Sequence, residues 1–156
     1  FEGDTFDACR MERMLCHVPD CRAALREMVR VVHPGGRVAV IDVDTAGVMI
    51  DHPDRVITSA FAASMTETIQ NPWIGRQLRR LFSDVGLVDV DVRPKVLEIG
   101  YGVIEPMIEQ HGGWMVESGA VTAEALAQWR QELEYANLSG TFFMGMTMFV
   151  ALGRKP

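Results

Sequence analysis

Long apolar runs, cysteine and positive charge are all scarce in this sequence. No run of about 18 apolar residues occurs, so no segment reads as a membrane span. Fifteen Lys and Arg stand against 21 Asp and Glu, a net charge of −6. That balance offers no basic excess to displace counterions from a nucleic-acid backbone, and no nucleic-acid partner is expected. Cys9, Cys16 and Cys21 are odd in number, and their spacing matches no zinc or redox pattern. Cys16, His17 and Cys21 fall short of the four paired ligands of a closed zinc site, so no metal is expected. Without a leader pattern, the expectation is reduced thiols in the cytoplasm.

What is present reads as an α/β chain. A hydrophobic fraction of 48% and a charged fraction of 23% are ordinary globular values, and 156 residues suit one domain with its own core. Phe6 to Arg13 reads as a strand whose apolar content fades towards its carboxyl end. Asp20 is placed to cap a helix in which Leu25, Met28, Val29 and Val32 form one stripe. Pro34 cannot continue that helix, and Gly35 or Gly36 can take the positive φ that closes it. Arg37 to Val43 then reads as a strand buried on both faces, with Asp42 and Asp44 at its end.

Pro53 to Gln70 keeps a helical period, with His52-Pro53-Asp54 as its start. Asn71-Pro72 interrupts it, and a second helix runs from about Trp73 to Val85. Arg76, Arg79 and Arg80 are expected to form a solvated face there. Val88, Val90 and Val92 alternate with Asp89, Asp91 and Arg93, the pattern of a strand at a sheet's rim. Thr141 to Leu152 is apolar almost without break, which suits a central strand. The last strand in sequence therefore sits inside the sheet, and the one before it at the edge. Between them, residues 101–140 read as a helical insertion ending in a helix from Thr122 to about Asn137.

"FDACRMERMLCHVPD", "ALREMVRVVHPGGRVAVID" and "LFSDVGLVDVDV", in that order, resemble the C-terminal half of a class I S-adenosylmethionine-dependent methyltransferase of the small-molecule, quinone C-methylase type. The resemblance implies a Rossmann-like sheet of order 3-2-1-4-5-7-6 with strand 7 antiparallel. This chain would then supply strands 4-5-7-6. Residues 1–156 would form a single methyltransferase domain, incomplete at its N-terminus, with 101–140 inserted before the last strand. The family's glycine-rich loop and ribose-binding acid are not in the sequence. The expected consequences are a cradle that is mostly missing and an exposed strand-4 edge open to self-association.

In open α/β sheets, ligands lie beyond the carboxyl ends of the strands. Here that means Arg10 to His17 and Asp42 to Thr45. By resemblance, Met11, Glu12 and Arg13 would border the methionine part of S-adenosylmethionine, although Glu12 and Arg13 also suit a local ion pair. His17 is the candidate general base, or else packs at the head of the next helix. Asp42 could orient a substrate hydroxyl or amine, or simply cap the next segment. Asp44 is a weaker candidate, lying further into the loop. Tyr101, Met107, His111, Trp114 and Met115 could line an acceptor pocket or form core, Trp114 being the chosen substrate contact. His33 is assigned no role. The implied activity of the intact protein is methyl transfer from S-adenosylmethionine to a small organic acceptor. A truncated, non-enzymatic interaction module is one alternative. Another is a nucleotide-dependent oxidoreductase of similar topology, although neither Tyr101 nor Tyr135 begins the Tyr-x-x-x-Lys of the short-chain type.

Overall fold

The computed structural model describes residues 1–156. In chain order the elements are β1 (Phe6–Glu12), α1 (Cys21–Val31), β2 (Val32–Ile50), α2 (Arg55–Thr68), α3 (Ile74–Asp84), β3 (Val88–Glu98), α4 (Tyr101–Glu117), α5 (Ala123–Leu138) and β4 (Met144–Arg154). The chain divides into two compact units. Unit 1 holds Phe1–Asp44, Ile69–Lys95 and Thr147–Pro156; unit 2 holds Thr45–Thr68 and Val96–Met146. No helix is long and apolar enough to cross a membrane.

The sheet has the order β1-β2-β4-β3. β1 runs parallel to β2, in a register that ends at Glu12 opposite Ile41. β4 runs the other way. The amide of Gly35, early in β2, donates to the carbonyl of Lys155, just past β4, and that of Asp51, just past β2, donates to Phe143, just before β4. β3 likewise ends against the start of β4, since Ile99 donates to Met144, while Asp89 at its other end pairs with Arg154. The sheet is therefore mixed, with its last strand inside and β3 at the rim. The uninterrupted apolar run of β4 and the alternation in β3 have this cause.

In unit 1, the Asp20 carboxylate accepts the Ala23 amide at 2.9 Å and starts α1, which buries Leu25, Met28 and Val31. Strand geometry resumes at Val32, before the Pro-Gly-Gly. Gly35 takes φ +84°, and the pairing with β1 shifts between Phe6 and Ala8. Gly36 is held to glycine by crowding: a Cβ would lie 2.7 Å from the Asp7 carbonyl. The turn expected to close the helix is thus an irregularity inside β2. α3 buries Leu78, Leu81 and Phe82. At Gly75 it approaches the sheet so closely that a Cβ would sit 2.9 Å from the Val43 carbonyl.

Unit 2 is built on α2, α4 and α5. Asp54 caps α2, its carboxylate accepting the Val56 amide at 2.9 Å. Phe61, Ile104, Ile108, Met115, Trp129 and Leu133 form the core. The residue 101–140 segment folds as α4 and α5. β2 does not end at the aspartates. It continues to Ile50, because Val48, Met49 and Ile50 extend the apolar strand and its tip is bonded by Asp51 to Phe143.

Candidate functional site

At the carboxyl end of β1, the Arg13 amide donates to Ile41 at 2.8 Å, and Arg13 itself adopts φ +50°. A non-glycine residue in the left-handed region costs on the order of 1–3 kcal/mol, and such strain persists only where neighbouring contacts enforce it. The bend lifts the chain off the sheet. Met14 and His17 stand exposed, while Leu15 and Cys16 turn inward with 0% and 2% exposure.

Two residues distant in sequence hold this loop. Asp42, 0% exposed, accepts the Leu15 amide through Oδ2 at 2.8 Å and its neighbour Val43's amide through Oδ1 at 2.9 Å. Asn71 holds the opposite side. Its side-chain amide donates to the carbonyls of Leu15 (2.9 Å) and Val18 (2.7 Å), and its backbone amide to that of Cys16 (3.0 Å). Burial pushes the Cys16 thiol up to about 12, with the Asp42 charge adding to the effect. Such a thiol stays protonated and unreactive at neutral pH.

A second anchor lies two residues along β2. Asp44, 2% exposed, receives a two-pronged hydrogen bond from the Arg76 guanidinium on α3, and Arg76 in turn lies 6.0 Å from the Trp73 ring. The carboxylate raises the Arg76 pKa. Arg79 donates to the carbonyls of Val90 and Val92 on the rim strand. The arginines of α3 are therefore not simply a solvated face; two of the three fasten the sheet.

The candidate residues occupy distinct surroundings. Met11 is half-buried, and Glu12 is exposed and paired with Arg10 rather than Arg13. Arg13 is exposed at the strained bend. His17 is exposed and its imidazole makes no hydrogen bond, so it does not pack at the head of α1. Asp42 joins these four in unit 1, but both of its oxygens are occupied by backbone amides. Asp42 is also fully buried, so in this structure its carboxylate shapes the loop through those two amides. Trp114 lies half-buried on α4 in unit 2. Of its companions, His111 and Met115 are core. The His111 ring lies 3.1 Å from the Thr68 hydroxyl, and burial lowers its pKa. Tyr101 packs edge-on against Phe142 at 5.5 Å. His52 bonds Glu132 at 2.8 Å and His33 bonds Asp7 at 3.0 Å. Asn71 carries no sequence signal beyond Asn-Pro, a mark of a break between helices.

Chemically, the loop presents an acid, a guanidinium, a thioether and an unpaired imidazole at the carboxyl end of β1, beside the middle of β2. A rigid base with an exposed polar rim is suited to border a ligand and to accept a proton from it.

A family model described as a methyltransferase domain matches residues 1–40, the segment that carries β1, the loop and the start of β2. An uncharacterized 37.1 kDa protein in transposon TN4556 of Streptomyces fradiae is 31% identical over 98% of this chain and 44% of its own length. A demethylmenaquinone methyltransferase of Halalkalibacterium halodurans is 32% identical over 60% of this chain and 44% of its own length. The chain thus spans under half the length of these curated relatives. The YcgJ protein of Bacillus subtilis superposes with a TM-score of 0.57 at 19% identity, covering 99% of this chain and 66% of that one, a likeness of fold. The methyltransferase-domain model over residues 1–40, the methyltransferase relatives over part of the chain and the shared fold together support a place in the class I S-adenosylmethionine-dependent methyltransferase family.

Proposed function

We propose that the whole protein transfers the sulfonium methyl of S-adenosylmethionine to a small organic acceptor, and that the loop following β1 borders the donor. One observation carries this reading: Glu12, Arg13, Met14 and His17 stand exposed where β1 ends, on a base bonded by Asp42. The fit to the cofactor is one of placement and chemistry. The strained bend at Arg13 puts an exposed polar rim at the carboxyl end of β1, and nucleotide-like ligands lie beyond such ends in sheets of this type. When bound, S-adenosylmethionine supplies an electrophilic methyl group.

The residues then have separate tasks. Met11, Glu12 and Arg13 would hold the donor. His17, free of other partners, would take the proton of an acceptor that arrives protonated. Asp42 would act through the loop it supports. In unit 2, Trp114 is the proposed acceptor contact. Methyl transfer depends mainly on an in-line approach at near-attack distance, so residues that fix the loop matter as much as the base. The relatives named for demethylmenaquinone make a reduced naphthoquinone the first acceptor to try. The edge of β1 left unpaired by β2 is proposed as a surface for a further strand.

Two measurements on the whole protein test the reading. Calorimetric titration should give micromolar affinity for S-adenosylhomocysteine; no heat at millimolar ligand would dismiss donor binding. With reduced demethylmenaquinone as acceptor, His17→Gln should lower turnover about a hundredfold and leave S-adenosylhomocysteine affinity within about threefold. Turnover that is unchanged from pH 6 to 8 would remove the proton-transfer role.

A further inference from the structure

We propose that Asn71 is a positioning residue for the donor-bordering loop, fixing the peptide groups on either side of His17. The inference rests on the loop's role proposed above, but its geometry is independent of it. Asp42 fastens the loop by one amide, that of Leu15. Asn71 fastens it by three carbonyls, those of Leu15, Cys16 and Val18, which bracket His17. The first grips the donor side of the peptide and the second the acceptor side, so the loop is held from both.

The residue type follows from this geometry. A primary amide has two N–H donors, and both are used. Aspartate would set an oxygen against two carbonyl oxygens, serine has one donor, and glutamine displaces the amide by a methylene. Pro72 disfavours helical backbone at the preceding residue, and Asn71 accordingly lies in the break between α2 and α3. The Asn71 carbonyl also accepts the Ile74 amide at 3.2 Å. The clamp is therefore continuous with α3, whose inner face is buried, and is not a floating surface contact.

The test compares wild type with Asn71→Ala and Asn71→Asp in the whole protein. The readouts are hydrogen exchange of individual amides and S-adenosylhomocysteine affinity between pH 5.5 and 8. At pH 8 both variants should exchange the Leu15 and His17 amides at least about tenfold faster and bind S-adenosylhomocysteine about tenfold more weakly, the loss of one or more partly buried hydrogen bonds. α1 and α3 should keep wild-type exchange. An ionised carboxylate facing carbonyls has a raised pKa, and once protonated it regains one donor. Asn71→Asp should therefore recover affinity and protection as pH falls towards 5.5, while Asn71→Ala should not.

Unchanged exchange at Leu15 and His17 would overturn the proposal. So would faster exchange throughout unit 1, which marks a general folding role, or faster loop exchange with unchanged affinity. If wild type fails to bind S-adenosylhomocysteine, the functional reading falls, and the exchange comparison alone still decides whether Asn71 holds the loop.

Discussion

Replacing Asp42 by asparagine alters almost no volume and removes one acceptor from a place water does not reach. The carboxylate serves the Leu15 amide at 2.8 Å and the Val43 amide at 2.9 Å, and it is 0% exposed. Asparagine keeps one oxygen for one amide and turns an N–H towards the other. A buried donor left unpaired costs about 1–3 kcal/mol, and the surviving bond falls from the charge-assisted to the neutral class, about 1 kcal/mol less. Relief from burying a charge returns part of this, and the net expectation is a loss of about 2 kcal/mol. For a chain of this size that is a drop of about 4–8 °C in Tm. Asp42→Ala leaves both amides unpaired and should cost about 4 kcal/mol.

A second consequence separates this from generic damage. The Asp42 charge is the lesser cause of the raised Cys16 thiol pKa, and burial is the greater. Asp42→Asn should therefore lower that pKa only partway and speed labelling of Cys16 at pH 9, read in a background lacking Cys9 and Cys21. Urea denaturation gives the stability, and amide exchange shows whether Leu15 and Val43 are the sites affected. A loss below about 0.5 kcal/mol with Leu15 still protected would refute the assignment of the carboxylate as the loop's staple.

Two further predictions concern other buried ionisable groups. Arg76→Ala strands the buried Asp44 carboxylate and should cost about 2 kcal/mol, less than the roughly 3–5 of a fully enclosed pair because the guanidinium is half exposed. Arg76→Lys should restore under half of that loss in denaturant titrations, since an ammonium cannot make the two-pronged bond. In unit 2, burial holds the His111 pKa below its ordinary 6.5, so the unfolded chain binds the proton first. Its contribution to stability is whole above pH 6.5 and is lost as pH falls from there towards the lowered value. Between pH 7 and 5, His111→Gln should flatten the fall in Tm, and an unaltered slope would contradict the buried neutral imidazole.

Much of the architecture is legible because it is written in local periods. The alternation at Val88, Val90 and Val92 and the unbroken run around Met144 to Ala151 mark rim and interior without any knowledge of pairing. Asp20 and Asp54 sit where caps belong, three residues or fewer from the amides they serve. The site is less legible. Asp42 is visible as an acid at a strand's end, but its partner is an amide 27 residues away. Asn71 reaches back 56 residues to Leu15, and nothing around Asn71-Pro72 hints at the destination. Arg76 reads as one of three solvated arginines, since a helical stripe cannot reveal that a buried aspartate waits opposite one member. The extension of β2 beyond Asp44 is hidden for a related reason: two acids read as an exit from the sheet unless their buried partners are known.

The strand that fills the gap between β2 and β3 is translated after both. At about 5–20 residues per second, the ribosome needs roughly 3–11 s to travel from Glu98 to Arg154. Throughout that interval two rows of backbone groups stay bare on the nascent polypeptide, each able to capture a stranger. Premature termination anywhere before Met144 would therefore release not a trimmed protein but an adhesive one, and chaperone demand should peak while that stretch is being made.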